Sequence, residues 1–142
     1  MAANDILRIG WRKAGNAGLL ATAGGVALGE LLHTIPTVTL QGVTFTRSYI
    51  IRKIMWYNNS GASAFLSIGT RNGTPGFVAL LPPIWMINTF DGELTEAELP
   101  GVEFISTPVV GVALAAQRDG NCYAVTAAAG VMVAIEVEEF GS

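Results

Sequence analysis

The sequence predicts an all-β fold: an antiparallel sandwich of about eight strands with an extended N-terminal arm before it. Three observations lead there. Short runs rich in Val, Ile, Thr and aromatic residues recur from Thr37 onward, separated by clusters of Gly, Pro, Asn and Asp. No long amphipathic helical pattern is available to serve as a crossover, which disfavours a parallel α/β arrangement. With 142 residues, the chain has the size of one domain and can bury a real core.

Residues 1–36 read as the arm and residues 37–142 as the β domain. Met1 to Lys13 mixes apolar and basic residues, and Ala14 to Gly29 is largely Ala, Gly and Leu. Glycine at this density is costly to order, so the arm is expected to take shape by lying on another surface. Ala27 to His33 suits one or two helical turns, stopped before Pro36 because a residue preceding proline avoids the α region.

From Thr37 to Thr46 apolar and polar residues alternate, predicting one strand. Tyr49 to Tyr57 is a second, ended by Asn58-Asn59-Ser60-Gly61. Ala64 to Gly69 is a third, closed by the turn-forming stretch Arg71 to Gly76. Phe77 to Leu81 and Ile84 to Ile87 flank Pro82-Pro83, which marks an edge strand or a break between strands. Phe90-Asp91-Gly92 turns, and Thr95-Glu96-Ala97-Glu98 has capping-box spacing for a single helical turn. Val102 to Ile105, Val109 to Ala116, Cys122 to Ala128 and Val131 to Val137 complete the strands, with Asp119-Gly120-Asn121 as a hairpin turn. Eight strands after a long arm suit a jelly roll. Glu139 to Ser142 receive no role.

Composition points to what the exterior is for. Hydrophobic residues make up 51% of the chain, charged residues 13%, and the mean hydropathy is +0.47. An ordinary soluble domain carries about 25% charged residues. A domain of this size keeps roughly 30% of its unfolded-chain surface in contact with water. That skin must therefore be unusually apolar, and large apolar patches mark contact sites. The net charge of −3 is uneven: residues 1–53 carry +4 and residues 54–142 carry −7. Such polarity can join the basic part of one copy to the acidic part of the next; charge that is merely solvated is the plainer alternative.

A membrane span needs about 18 continuous apolar residues; Ala14 to Leu28 is shorter and interrupted by Asn16 and glycines. Arg8, Arg12 and Lys13 precede Leu19-Leu20, but Asp5 and the glycines match a secretory signal poorly, so synthesis in the cytoplasm is expected. Cys122 is the single cysteine, cannot form an internal disulfide and reads as a buried, inert thiol.

Catalytic chemistry finds little support. His33 is the single histidine, too few for an imidazole metal site, and reads as a packed or surface residue. Asp91, Glu93, Glu96, Glu98 and Glu103 cluster, yet without the alternation of a calcium loop, so they read as a solvated acidic loop. No catalytic residue, cofactor site or metal site is assigned. Nucleic acid is an unsuitable partner for an acidic chain with so few basic residues clustered. Asn58-Asn59-Ser60 and Asn72-Gly73-Thr74 fit the glycosylation sequon but read as turns.

Seven residues are candidates for interaction. Trp11, set between Arg8 and Arg12-Lys13, is an aromatic anchor on the arm. Glu93, Glu96 and Glu98 are the acidic loop that would meet the basic arm of a neighbour. A rival site is a carbohydrate platform at Trp56-Tyr57-Asn58-Asn59; the plainer reading makes Trp56 core and the asparagines turn residues.

The stretches Tyr57 to Thr70 and Val131 to Glu138, behind a basic Gly/Ala-rich arm, resemble the jelly-roll cementing (decoration) proteins of tailed bacteriophage capsids, in particular those of short-tailed Bordetella phages. The resemblance is one of pattern and size over most of the chain, without a diagnostic motif. It implies a non-enzymatic virion protein that binds the outside of the capsid lattice and bridges major capsid protein subunits. It also implies a homo-oligomer, a dimer favoured over a trimer, with neither nucleic acid nor membrane as partner. A carbohydrate-binding jelly-roll module is the alternative.

Overall fold

The computed structural model describes residues 5–13, 22–23, 26–27, 30–72, 76–106, 113, 116–126 and 130–140. In chain order they form β1 (Asp5–Lys13), β2 (Thr22–Ala23), β3 (Val26–Ala27), β4 (Glu30–His33), β5 (Thr37–Leu40), β6 (Val43–Thr46) and β7 (Tyr49–Asn58). There follow β8 (Ala64–Asn72), β9 (Gly76–Ala79), β10 (Ile84–Met86), β11 (Asp91–Leu94), β12 (Glu103–Phe104), β13 (Cys122–Thr126) and β14 (Val131–Glu139). Among the described residues there is no α-helix, and every ladder is antiparallel.

Two sheets carry the core. Sheet A runs β1-β14-β7-β11 with β12 also on β7, and sheet B runs β10-β8-β13-β4 with β9 also on β8. β11 and β12 lie end to end along β7, opposite Ile54–Tyr57 and Tyr49–Ile50. β10 and β9 share one side of β8 in the same way. The strands therefore outnumber the eight expected, because two small hairpins, β2–β3 and β5–β6, stand outside the two sheets and one edge of each sheet is split in two. Pro82-Pro83 splits the edge of sheet B, between β9 and β10, since proline cannot donate to a ladder. The turn at Thr95–Glu98 helps to split the edge of sheet A, between β11 and β12: the Thr95 amide and hydroxyl donate to Glu98 Oε1 at 3.3 and 3.1 Å, as the capping-box spacing predicts.

Alternation explains how the sheets meet. In β14, Val131, Val133, Ile135 and Val137 are buried while Met132, Glu136 and Glu138 are half-buried. They join Ile51, Ile54 and Trp56 of β7 and Leu66, Ile68, Ile84, Met86 and Ala124 of sheet B in one cluster. Each large side chain so buried contributes roughly 1.5–3 kcal/mol.

Three expectations are corrected. Residues 5–13 and 30–33, read as arm, are strands of the sandwich: β1 pairs with β14 from Asp5↔Glu139 to Lys13↔Met132, and β4 pairs with β13. The alternation of β1 is hidden in the sequence because its register shifts between Ile9 and Arg12. Of the helical turns expected over Ala27 to His33, the described residues show none: Ala27 ends β3 and Glu30–His33 is strand, where pairing to a partner strand overrides local propensity. Thr37 to Thr46 is not one strand but a hairpin, β5 and β6, turning at Gln41 (φ 50°) and Gly42 (φ 79°). Most of the expected strand Val109 to Ala116, and the Ala/Gly-rich stretch 14–21, lie outside the described residues.

Candidate interaction face

Phe45 is exposed on the β5–β6 hairpin beside Arg47 and Phe140, whereas most of the exposed aromatic side chains, Trp11, Tyr57, Phe65, Trp85 and Phe90, lie toward one end of the sandwich. That end is organised by Asn58, the last residue of β7, whose side chain is fully buried. Its Nδ2 donates to the carbonyls of Ala62 (2.9 Å) and Met86 (3.2 Å), and its Oδ1 accepts from the Ser60 amide (3.1 Å) and hydroxyl (2.6 Å). Its backbone binds Phe90 and Thr89. One asparagine thus ties the β7–β8 loop to the β10–β11 loop, and buried polar groups so satisfied rigidify what they join.

On this frame stand Trp85 (53% exposed) and Phe65, with ring centroids 4.8 Å apart on the outer side of sheet B, and Ile87 and Phe90 at the tip. On the outer side of sheet A, Trp11 (52% exposed), Tyr57, Met132 and Asp91 line a shallow depression of about 340 Å³. Between the split edges of the two sheets lies an apolar groove of about 270 Å³, lined by Leu81, Pro82, Pro83, Trp85, Leu99 and Pro100 over Trp56. Trp56 itself is 8% exposed and belongs to the core, so it offers no platform.

The seven candidate residues fall as follows. Arg8 and Trp11 lie on β1, Arg8 3.4 Å from Glu136 and Trp11 exposed as an anchor requires. Arg12 lines a depression with Ile9, Leu31 and His33, between the edge strands of the two sheets. Lys13 closes β1 opposite Met132. Glu93 pairs with Lys53 at 3.4 Å and Glu96 with Arg52 at 2.7 Å. The hydrogen bond to Glu96, foremost, raises the pKa of Arg52, which also holds Glu138 at 3.0 Å. Glu98 caps the Thr95 turn. Sheet A thus gathers most of these residues, but its ion pairs are made within the chain.

Sequence reasoning missed Phe65, Trp85, Ile87 and Phe90, and named Tyr57 only within the rival carbohydrate platform. Period-two alternation in Ile84-Trp85-Met86 was the available signal: buried neighbours leave the middle residue facing out. Among the described residues, no three His, Cys, Asp or Glu side chains come together in a way that could hold a metal ion, and no helix is long and apolar enough to cross a membrane.

Compared with family models, curated proteins and solved structures, the chain matches none.

Proposed function

We propose that this chain is a structural virion protein of jelly-roll type, which binds the outside of a capsid lattice and cements neighbouring major capsid protein subunits. The pairing order supports the jelly-roll part. Counting the split edges once and leaving aside the small β2–β3 and β5–β6 hairpins, the strand positions in chain order are β1, β4, β7, β8, β9/β10, β11/β12, β13 and β14. First pairs with last, second with seventh, third with sixth and fourth with fifth. That is a long antiparallel ribbon wrapped round a core, as a jelly roll is.

The observation that carries the function is the set of exposed aromatic side chains toward one end of the sandwich: Trp11 and Tyr57 on the outer side of sheet A, Phe65 and Trp85 on the outer side of sheet B, and Phe90 at the tip. Exposed aromatics held by a satisfied network are preorganised anchors, the residues that dominate protein–protein binding. Charged residues make up only 13% of the chain, which lowers the desolvation cost of covering its surface. Work on the capsid exterior, after synthesis in a host cytoplasm, belongs to the same proposal, and so do a non-enzymatic role and association with copies of itself.

The test is co-sedimentation of the full chain with shells assembled from the major capsid protein encoded with it. The wild type pellets with shells, and Trp11→Ala combined with Trp85→Ala weakens binding by about tenfold or more. A wild type that stays in the supernatant overturns the proposal.

A carbohydrate-binding role draws on the depression holding Trp11, Tyr57 and Asp91, since sugars stack on aromatic faces beside carboxylates. Saturable glycan binding lost in Trp11→Ala, with shell binding absent, would favour it.

A further inference from the structure

In sheet A the sign of charge alternates from one strand position to the next. β1 is basic on balance, with Arg8, Arg12 and Lys13 against Asp5; β14 is acidic, with Glu136, Glu138 and Glu139. β7 is basic, with Arg52 and Lys53, and residues 91–104, which form the β11–β12 edge, hold five acidic residues and no basic one. Within the chain each contact between positions is used: Arg8 with Glu136, Glu138 with Arg52, Arg52 with Glu96 and Lys53 with Glu93. The outermost positions have an oppositely charged neighbour on one side only. Their other sides are strand edges without a partner strand among the described residues, a template for another chain.

We propose that β1 of one copy seats against the β11–β12 edge of the next, so that sheet A continues head to tail through an assembly. This rests on the assembly role above and adds the contact that builds it. Direction and level both suit it. β1 is antiparallel to β14, β14 to β7 and β7 to β11, so a copy displaced along the sheet brings β1 antiparallel to β11. Lys13 is level with Met132, Tyr57 and Asp91, and so arrives beside Asp91. Arg8, level with Glu136 and Lys53, arrives beside the turn that holds Glu96. Ile6 and Leu7, exposed on β1, add apolar surface to the contact. Sheet B offers nothing comparable, since β9 and β10 carry no charge. Because two different edges meet, the contact is heterologous: it closes into a ring or extends, and does not stop at a two-fold dimer.

The experiment is sedimentation velocity of the full chain in solution, without shells, at low and high salt. One variant reverses the basic edge (Arg8→Glu with Arg12→Glu) and another the acidic edge (Asp91→Lys with Glu103→Lys). The wild type forms species larger than dimers, weakened by salt. Either variant alone associates about tenfold or more weakly, and an equal mixture of the two regains association, because each reversed edge now meets its complement. Melting curves verify folding; if a double variant fails to fold, Arg12→Glu and Asp91→Lys are mixed instead. A monomeric wild type, a dimer indifferent to the acidic-edge variant, or a mixture that stays dissociated overturns the inference. Shell co-sedimentation is read separately, so a monomer that still pellets with shells sinks the head-to-tail contact and leaves the attachment proposal standing.

Discussion

His33 Nε2 lies 2.8 Å from Glu139 Oε2, and the pair joins edge strand β4 of sheet B to β14 of sheet A. Their side chains are 13% and 8% exposed. The His33 ring stands edge-on to Tyr49, with centroids 4.9 Å apart; Tyr49 stacks on Phe104 and donates its hydroxyl to the Gly120 carbonyl at 2.7 Å. A column of four residues thus links the sheets at the end opposite the aromatic cluster, and the single histidine of the chain serves the fold.

His33→Ala leaves the Glu139 carboxylate in a largely buried place without this partner. The expected cost is about 1–3 kcal/mol, read as a lower urea midpoint at unchanged slope. Glu139→Gln keeps an acceptor and should cost less. Equal midpoints for wild type and His33→Ala would refute the pairing.

Trp56 and Trp85 separate core from surface. Trp56→Ala should destabilise by about 3–5 kcal/mol, because the indole fills space between the sheets. Trp85→Ala should change stability by less than about 1 kcal/mol, as expected of an exposed side chain, while weakening attachment. Thermal melts and the shell assay, run on the same two proteins, check both halves.

Gly92 is needed for its lack of a side chain. A Cβ there would collide with the Trp56 indole, whereas one at Gly10 meets nothing within 4 Å. Gly92→Val is expected to cost about 1–3 kcal/mol through overpacking, and Gly10→Ala to stay within about 0.5 kcal/mol. Chemical denaturation of the pair gives the comparison; a neutral Gly92→Val would show that Trp56 can move aside.

Alkali should unfold the protein. Burial, foremost, pushes the Cys122 thiol and the Tyr49 phenol well above their ordinary values, and raises Tyr123 as well. Groups whose folded pKa is raised are neutral in the native state and prefer to ionise in the unfolded chain. Their stabilisation is therefore intact below about pH 8.5 and declines as pH rises past the unfolded values of about 8.5 for cysteine and 10 for tyrosine. Tyrosinate absorbance should appear together with unfolding, and Cys122 should resist thiol reagents until then. Reaction of the native protein near neutral pH would contradict the burial.

How far the sequence reached differs by feature. Alternation and turn residues located β7, β8, β10 and β14 to within a few residues, because strand conformation is written in near neighbours. The Thr95–Glu98 turn and the buried character of Trp56 and Cys122 were legible for the same reason. The candidate face was only partly legible: Trp11 as an aromatic anchor was foreseen, but not Trp85 and Phe65 on the other sheet or Phe90 at the tip.

Taken alone, the sequence determined the class of secondary structure, the apolar excess and the division of charge between the first 53 residues and the rest. Only the tertiary structure decided which strands are neighbours. Asp5 lies opposite Glu139 and His33 bonds to the same residue, partnerships across more than a hundred positions that no local period records. A strand's alternation fixes which side faces the core, whereas its partner is chosen by how the whole ribbon can wrap and bury that side. For that reason the N-terminal residues read as a loose arm in one dimension and form edge strands of both sheets in three.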